Sequence, residues 1–302
     1  MMKKTLIVVI GPTAIGKTTL AITLAKHYKT EILSADSRQF YKEMSIGTAV
    51  PSKEELQEAT HHFIQHKSIH DVYSVGDFER EAIEKLEQIF KEKDLAILVG
   101  GSGLYVDAVT KGLDKFPKVA SEIRTNLNHD LKTKGIEYLQ EQLKQLDIKY
   151  YQKVDLDNPH RLIRALEICI GSGQPYSSFI GQKKPQRFFN TITIGINAER
   201  EIIYDRINRR VDIMINEGLL DEVKNLIANK KLNALQTVGY RELFSHLEGD
   251  YDLDFAISEI KKNTRRFAKR QLTWFRKNKE AIWVPFDYNF KDIIQEITRK
   301  LQ

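Results

Sequence analysis

Continuous apolar runs mark the first hundred residues of the chain. Thr5–Ile10 and Leu95–Val99 are apolar almost throughout, and glycine follows each of them at once. Runs of this length are typical of strands that a parallel sheet buries on both faces. Residues 31–34, with Ile32 and Leu33 at their centre, are predicted as a shorter strand. We therefore predict three buried parallel strands in this part of the chain.

Amphipathic segments separate these runs. Residues 17–27 have the composition of a helix, and residues 78–91 carry Phe78, Leu86 and other apolar positions on one helical face. Ser74 precedes the second segment as a predicted N-cap, because its hydroxyl can accept a free N–H of the first turn. Strand and helix thus alternate, as they do in a doubly wound α/β sheet.

The pattern changes between residues 114 and 181, where we find no strand-like run. Three segments have helical periodicity instead, namely 121–134, 136–146 and 159–170. Gly135 and residues 171–173 are predicted to break the helices, since glycine is frequent where helices end. This stretch predicts an all-helical insertion.

The α/β pattern resumes after the insertion. Strands are predicted at 191–196 and 281–284, and long helices near 199–215, 218–229 and 254–277.

A glycine-rich motif follows the first strand directly. It fits the pattern G-x-x-x-x-G-K-[ST] and comprises Gly11, Pro12, Thr13, Ala14, Ile15, Gly16, Lys17 and Thr18. Backbone N–H groups of such a loop surround phosphate oxygens, and the next helix adds its positive N-terminal end. Lys17 is expected to reach the terminal phosphate, and the Thr18 hydroxyl to bind Mg²⁺.

The motif and the element pattern together predict a fold. We expect an α/β protein with a P-loop NTPase-like parallel sheet flanked by helices and with an all-helical insertion domain. Residues 1–113 and 182–302 would form the P-loop core, and residues 114–181 the insertion.

A second polar cluster is predicted beside the P-loop. P-loop NTPases usually end a later strand with aspartate, but Leu95–Val99 leads into two glycines, Ser102 and a third glycine. Asp36 comes just after the second strand. Because neighbouring parallel strands share one crevice at their carboxyl ends, Asp36 and Ser102 are expected to approach the phosphate site. Spacing alone leaves open that Asp36 is a turn or cap residue and Ser102 a plain loop hydroxyl.

The net charge of +6 is concentrated in one segment. Residues 261–279 contain nine Lys and Arg and no Asp or Glu, and the rest of the chain is net negative. Such a run is typical of a polyanion-binding surface, although a solvated basic helix is an open alternative. Phe267, Trp274 and Phe275 lie within it, and their spacing favours core positions.

The composition is that of an ordinary globular protein, with 41% hydrophobic and 29% charged residues. No stretch approaches the ~20 apolar residues that cross a membrane, so we expect no membrane partner. The single cysteine, Cys169, excludes an intrachain disulfide framework and favours a reducing, cytoplasmic location. Its apolar neighbours predict that it is buried.

Histidines recur at intervals of four at positions 62, 66 and 70. On a helix they would share one face and could bind a metal. The segment lacks helical periodicity, however, so we predict structural or substrate-lining histidines.

Seven segments, in order along nearly the whole chain, are similar to motifs of the tRNA dimethylallyltransferase family. They are GPTAIGKT at 11–18, ADSRQ at 35–39 with Tyr41 and IGTA at 46–49, VGGSGLY at 99–105, RLIRALE at 161–167, RINRRVDIM at 206–214 with GLLDEV at 218–223, VGYRE at 238–242, and TRRFAKRQLTWFR at 264–276. Val50, Ser102 and His160 stand where the family usually has Lys, Thr and Gln.

The resemblance implies an activity, a cofactor and catalytic roles. A monomeric enzyme would transfer a dimethylallyl group from dimethylallyl diphosphate to the exocyclic amine of the adenosine 3′-adjacent to the anticodon of tRNA. Asp36 would take the amine proton. Lys17, the P-loop amides, Mg²⁺ on Thr18 and Arg210 would stabilise the departing diphosphate. Ser102 would position the base or the leaving oxygen.

The resemblance also implies two RNA-contacting stretches, since a loop base must leave its stack to react. One comprises Asp36, Ser37, Arg38 and Gln39, together with Ser102. The other comprises His160, Arg161, Leu162, Ile163 and Arg164 in the insertion, to which Arg124 is added. The insertion would thereby grip the anticodon stem-loop.

Two other functions are compatible with parts of the sequence. A small-molecule or nucleotide kinase would use the same P-loop to turn over ATP, but the glycine-rich end of Leu95–Val99 lacks the expected magnesium-orienting acid. An RNA-binding protein without catalysis is opposed by the intact Lys17, Thr18 and Asp36.

Overall fold

The computed structural model describes residues 3–182 and 186–302 of the chain. These residues form two compact units. The first unit contains residues 3–111 and 186–302, and the second contains residues 112–182.

Six parallel strands form the sheet of the first unit, in the order β3-β2-β4-β1-β5-β6. They are β1 (Thr5–Ile10), β2 (Ile32–Ser34), β3 (His61–His62), β4 (Leu95–Val99), β5 (Asn190–Asn197) and β6 (Ile282–Pro285). The predicted α/β class with a parallel sheet is confirmed.

Strand β1 lies in the middle of the sheet and is buried along its whole length. Val8 pairs with Leu98 in β4 on one side and with Thr193 in β5 on the other. Its residues alternate between two core clusters, Ile7 and Val9 on one face and Leu6 and Val8 on the other. Burial on both faces explains why the sequence is continuously apolar here.

Helices cover both faces of this sheet. They are α1 (Lys17–Tyr28), α2 (Lys53–Glu58), α3 (Val75–Glu92), α4 (Gly103–Lys111), α9 (Arg200–Asn216), α10 (Leu219–Asn225), α11 (Tyr240–Leu247), α12 (Leu253–Phe275) and α13 (Phe290–Leu301). Ser74 caps α3 as predicted, because its hydroxyl accepts the N–H of Asp77 while the Asp77 carboxylate accepts that of Ser74. A third core cluster joins α9 to α12 around the fully buried Tyr240.

Helices are the only regular secondary structure among the described residues of the second unit. Its helices are α5 (Ser121–Lys134), α6 (Ile136–Leu146), α7 (Ile148–Tyr151) and α8 (Pro159–Ser172). Leu127, Leu139, Leu143 and Leu166 form its core. Cys169 is buried in α8, as its apolar surroundings predict.

Two boundary predictions are wrong. Helix α8 continues through Gly171 and Ser172, and only Gly173, at φ +68°, ends it. A Cβ at Gly171 would lie 2.3 Å from the Val119 side chain, so this glycine makes room for a close contact and does not break the helix. The segment 218–229 also ends its α-helix early, at Asn225, and continues as a short 3₁₀ turn.

No helix within the described residues is both long enough and apolar enough to cross a membrane.

Candidate active site

The P-loop joins β1 to α1 through a tightly turned backbone. Gly11, Ala14 and Gly16 all have positive φ angles, of 151°, 64° and 104°. A Cβ at Gly11 would stand 2.7 Å from the backbone oxygen of Ile196 in β5. Glycine is therefore needed at position 11 both for its backbone angle and for the close approach of the neighbouring strand.

A cavity of 690 Å³ opens above this loop. Lys17 and Thr18 line it at the start of α1. The Lys17 Nζ donates a hydrogen bond of 2.7 Å to the Pro12 backbone oxygen. Burial and the nearby Arg210 lower the pKa of Lys17 to about 7, and the negative charge of Asp36 opposes that shift. The lysine is thus positioned for an anion that would restore its full charge.

Helix α9 supplies two further cations to the same cavity, Arg206 and Arg210. The Arg206 Nε donates to the Ala14 backbone oxygen at 2.7 Å and so fixes the P-loop against α9. Burial lowers the pKa of Arg210, and the positive charge of Arg206 contributes in the same direction. Three cations around a glycine-rich loop would suit a polyphosphate.

Asp36 lies directly beyond β2, at the carboxyl ends of the strands. Its Oδ1 accepts the backbone N–H of Arg38 at 3.0 Å, which is the turn geometry that its short side chain favours. The Ser102 Oγ accepts the backbone N–H of Ser37 and donates to the Ser37 hydroxyl, both at 3.1 Å. The structure therefore places Asp36, Ser37 and Ser102 side by side.

A second cavity, of 440 Å³, lies on the other side of these residues. Ser102, Arg38, Phe267 and Trp274 line it, whereas Lys17 and Thr18 line only the first. Seven residues line both cavities: Thr13, Asp36, Thr48, Ala49, Gly101, Arg210 and Met214. A carboxylate and a guanidinium thus stand where the P-loop cavity meets a separate, more apolar chamber.

Gln271 of α12 braces this junction, although its place in the sequence does not mark it as a site residue. Its buried side chain accepts the Thr13 N–H at 2.9 Å and donates to the Gly101 backbone oxygen at 2.9 Å. A Cβ at Gly101 would lie 2.4 Å from the Gln271 Nε2, which explains the glycine there. The only available signal was a polar residue inside the motif at 264–276.

Replacing Gln271 with alanine should lower the free energy of unfolding by about 1–3 kcal/mol, because a half-buried N–H and a buried carbonyl both lose their partner. Chemical denaturation of the two proteins measures the difference. Thr273→Ala is the matched control, since Thr273 is exposed on the same helix. Equal stability of the Gln271→Ala variant and the original protein would contradict this bracing role.

Arg38 and Gln39 bind protein groups. The Arg38 guanidinium donates to the backbone oxygens of Asn233 and Ala234 at 2.9 and 3.1 Å. The Gln39 amide donates to those of Thr48 and Ala49 at 3.2 and 2.8 Å. Both side chains therefore hold cavity walls in place, and their predicted role as RNA contacts stays a prediction.

The aromatic residues of α12 divide into two groups. Phe275 is buried at 4% exposure, as predicted. Phe267 and Trp274 are 39% and 38% exposed, so the prediction that they are core residues is wrong. The physical reason is that both side chains line the second cavity. The Trp274 Nε1 also donates to Asp107 at 2.9 Å.

The residues of the second unit that were predicted to contact RNA also differ in the exposure of their side chains. His160 and Arg161 are exposed at the start of α8. Arg124 and Arg164 both bind the buried Glu167, at 2.7 and 3.2 Å. The side chains of two other predicted contacts are packed in the core of this unit, Leu162 at 0% and Ile163 at 4% exposure. These two side chains cannot reach a ligand on the surface.

The histidine series does not form a helical face. His62 lies in β3 and binds Glu31 at 2.7 Å. His66 packs against the rings of Phe40 and Tyr73, and burial lowers its pKa to about 4. Within residues 3–182 and 186–302, no group of three or more His, Cys, Asp and Glu is arranged to hold a metal.

Thr18 suits a metal that arrives with a phosphate ligand. It is half-buried at the start of α1 and faces the P-loop cavity. Mg²⁺ prefers oxygen ligands and usually keeps water and phosphate oxygens beside one or two protein groups. The Thr18 hydroxyl together with diphosphate oxygens would therefore suit Mg²⁺.

Comparison with known proteins gives consistent results. The model of a family described as IPP transferase matches residues 39–278. A tRNA dimethylallyltransferase of Christiangramia forsetii is 63% identical over 300 residues, which is 99% of each chain. The corresponding protein of Flavobacterium johnsoniae is 59% identical, also over 99% of each chain.

Solved structures agree with this result. The full-length tRNA isopentenylpyrophosphate transferase of Bacillus halodurans is 37% identical, covers 99% of this chain and 96% of its own, and has a TM-score of 0.72. A eukaryotic dimethylallyltransferase captured acting on tRNA is 25% identical, covers 98% of this chain and 79% of its own, and has a TM-score of 0.83.

Proposed function

Because this chain belongs to the IPP transferase family, we propose that it is a tRNA dimethylallyltransferase. It transfers the dimethylallyl group of dimethylallyl diphosphate to the exocyclic amine of the adenosine 3′-adjacent to the anticodon, and it releases diphosphate. The observation that carries this proposal is the junction of two cavities at Asp36 and Arg210. A donor and an acceptor can enter from different sides and react there.

The P-loop cavity is the proposed binding site for the diphosphate of the donor. Lys17, Arg206 and Arg210 surround the P-loop cavity with positive charge. As the bond between the allylic carbon and oxygen breaks, negative charge grows on the diphosphate, and fixed cations stabilise that charge more in the transition state than before it. Bound Mg²⁺ on Thr18 would add further positive charge at the leaving group.

Asp36 is the proposed base that acts on the acceptor. The exocyclic amine of adenine is a weak nucleophile, because its lone pair is delocalised into the ring. Its nitrogen forms the new bond to the allylic carbon and must lose one proton, which the Asp36 carboxylate accepts. The Oδ1 of Asp36 is held by the Arg38 N–H, which fixes the carboxylate in its place beside Ser102.

The chamber lined by Ser102, Phe267 and Trp274 suits a base that has left its stack. Aromatic faces stack on bases regardless of sequence, and the basic residues of α12 attract phosphates. Exposed His160 and Arg161 offer contacts for the anticodon stem-loop on the second unit. We place the enzyme in the cytoplasm as a monomer.

A labelling experiment tests this function against its two rivals. The purified protein is given radiolabelled dimethylallyl diphosphate or ATP, each with and without tRNA. Label should enter RNA only from the isoprenyl donor. Consumption of ATP without RNA labelling would establish a kinase, and binding of tRNA with neither reaction would establish an RNA-binding protein.

Donor binding should take up protons at alkaline pH. Lys17 of the free enzyme has a pKa of about 7, and a bound diphosphate raises that pKa because it favours the charged lysine. Below pH 6 the lysine is already protonated and adds no uptake, whereas at pH 8 its uptake approaches one proton. The affinity for the donor should therefore fall as the pH rises above 7.

Calorimetric titration of dimethylallyl diphosphate into the enzyme, without tRNA and in buffers of different ionisation enthalpy, measures this uptake. The Lys17→Met variant removes the titrating group and serves as the reference. The same proton uptake in the variant would show that another group titrates.

A further inference from the structure

A clamp of hydrogen bonds surrounds the carboxylate of Glu222 in α10. Its Oε2 accepts the backbone N–H groups of Ser45 and Ile46 at 3.0 and 2.8 Å. Its Oε1 accepts the N–H of Gly47 at 3.0 Å and the hydroxyl of Tyr240 at 2.6 Å. One carboxylate thus satisfies three consecutive amides of a loop, which is a strong, charge-assisted arrangement.

The loop held by this clamp, residues 45–50, forms a wall of both cavities. Thr48 and Ala49 line both, Gly47 lines the acceptor chamber, and Ser45 and Ile46 line the phosphate cavity. Ala49 in this loop has a strained φ of +50°, a conformation that persists only where surrounding contacts hold it. The position of this wall therefore depends on the groups that bind its backbone.

Two side chains bind the backbone of the loop, one through its N–H groups and the other through its carbonyl oxygens. Glu222 binds N–H groups, whereas the Gln39 amide binds the oxygens of Thr48 and Ala49. Gln39 follows Asp36 by three residues, so the loop is tied directly to the segment that carries the proposed base. A displacement of the loop would consequently be transmitted to the junction of the two cavities.

The glycine at position 47 supports the same interpretation. A Cβ there would lie 2.5 Å from the ring of Tyr240, which is fully buried. Burial and the Glu222 carboxylate raise the pKa of Tyr240, so its hydroxyl stays a hydrogen-bond donor. Three separated segments, 45–50, 218–223 and 238–242, therefore meet around the Glu222 carboxylate, which itself lines neither cavity.

We propose that Glu222 is a positioning residue, which fixes the wall between the donor and acceptor cavities through the backbone of residues 45–47. This inference rests on the proposed function, because the two cavities matter only if two substrates meet between them. Glu222 acts through the loop and needs no contact with either substrate.

The Glu222→Gln variant tests the proposal with little change in shape. An amide has one acceptor oxygen, so its NH₂ group must face either Ser45 and Ile46 or Gly47 and Tyr240, and two donors lose their partner. The value of kcat/KM should fall about 10- to 100-fold for both substrates, as misplacement of a wall by roughly 1 Å can produce such losses. Asp221→Asn, an exposed neighbour on the same helix, should change nothing.

Hydrogen exchange provides a readout that needs no activity. The amides of residues 45–47 should exchange faster in Glu222→Gln, while the amides of β1 and β4 keep their protection. The Tyr240→Phe variant, which keeps the carboxylate and removes one of its four donors, should give a smaller kinetic loss and should fold even if Glu222→Gln does not.

The outcomes separate the two claims. If the original protein does not label tRNA, the proposed function fails, and faster exchange in the variant would still report the clamp. If the original protein is active and the folded variants keep both its kinetic constants and its exchange pattern, the positioning role is wrong. A lower melting temperature with unchanged kinetic constants would also overturn it, because Glu222 would then only stabilise the fold.

Discussion

Replacing Asp36 with asparagine should lower the rate constant for prenyl transfer by about 10²–10⁴, which is the usual contribution of a positioned general base. An asparagine can keep the turn, because its side-chain oxygen can still accept the N–H of Arg38. It cannot take the proton of the exocyclic amine. Binding of dimethylallyl diphosphate should stay nearly unchanged, because Asp36 supplies none of the positive charges that would bind the phosphates.

Single-turnover transfer of label to tRNA measures the chemical step, and calorimetry measures donor binding. Asp94→Asn is the matched control, because Asp94 is an exposed partner of Lys4 that precedes β4. If Asp36→Asn prenylates tRNA as fast as the original protein, Asp36 is not the base.

Loss of the Arg210 guanidinium should have the second largest effect. In Arg210→Met, kcat should fall by about 10²–10³, the range found when one preorganised stabilising group is removed from an active site. Arg210 lines both cavities at the junction with Asp36, where charge develops as diphosphate departs. Without it, the pKa of Lys17 should also rise, because the charge of Arg210 helps to lower that pKa.

Arg209→Met provides the comparison within the same turn of α9. Arg209 is 75% exposed and pairs with Asp205, so its removal takes away one positive charge without changing the cavities. Steady-state kinetics of the two variants should therefore differ clearly. Equal losses would indicate a general effect of net charge on tRNA binding and would remove Arg210 from the catalytic machinery.

Strands β1 and β4 and the insertion helices α5 and α6 were predictable because their sequence signals are local. Thr5–Ile10 and Leu95–Val99 have the predicted bounds, since a continuous apolar run ending in glycine allows few alternatives. Helices α5 and α6 also match, because Gly135 separates two periodic segments. In these elements the hydrophobic pattern and the turn residues indicate the same structure.

Helix α2 was not predicted, for a physical reason. None of its six residues is buried, so the segment has no apolar periodicity to read. It is held instead by a capping box in which Ser52 and Glu55 satisfy each other's backbone N–H groups. Helix α13 is different, because its buried Ile293 and Ile297 are spaced by four residues and could have been recognised.

The active-site residues were predictable where the topology of the sheet alone brings them together. Parallel strands bring Asp36, Ser102 and the P-loop to one edge of the sheet without any knowledge of side-chain packing. The roles of Gln271 and Glu222 could not be predicted in this way. Gln271 meets Thr13 across 258 positions, and Glu222 meets Ser45 across 177. Such contacts depend on how α10 and α12 dock, which no local pattern encodes.

The place of β1 in the sheet has a consequence for synthesis of the protein. This strand is translated before both of its neighbours, and the second of them, β5, begins only at Asn190. At 5–20 residues per second, a ribosome needs about ten to forty seconds to cover that distance. Throughout this interval an almost entirely apolar strand has an open edge, and open edges associate with other chains. Nascent copies of this protein should therefore depend on chaperones that shield the strand until β5 has been made.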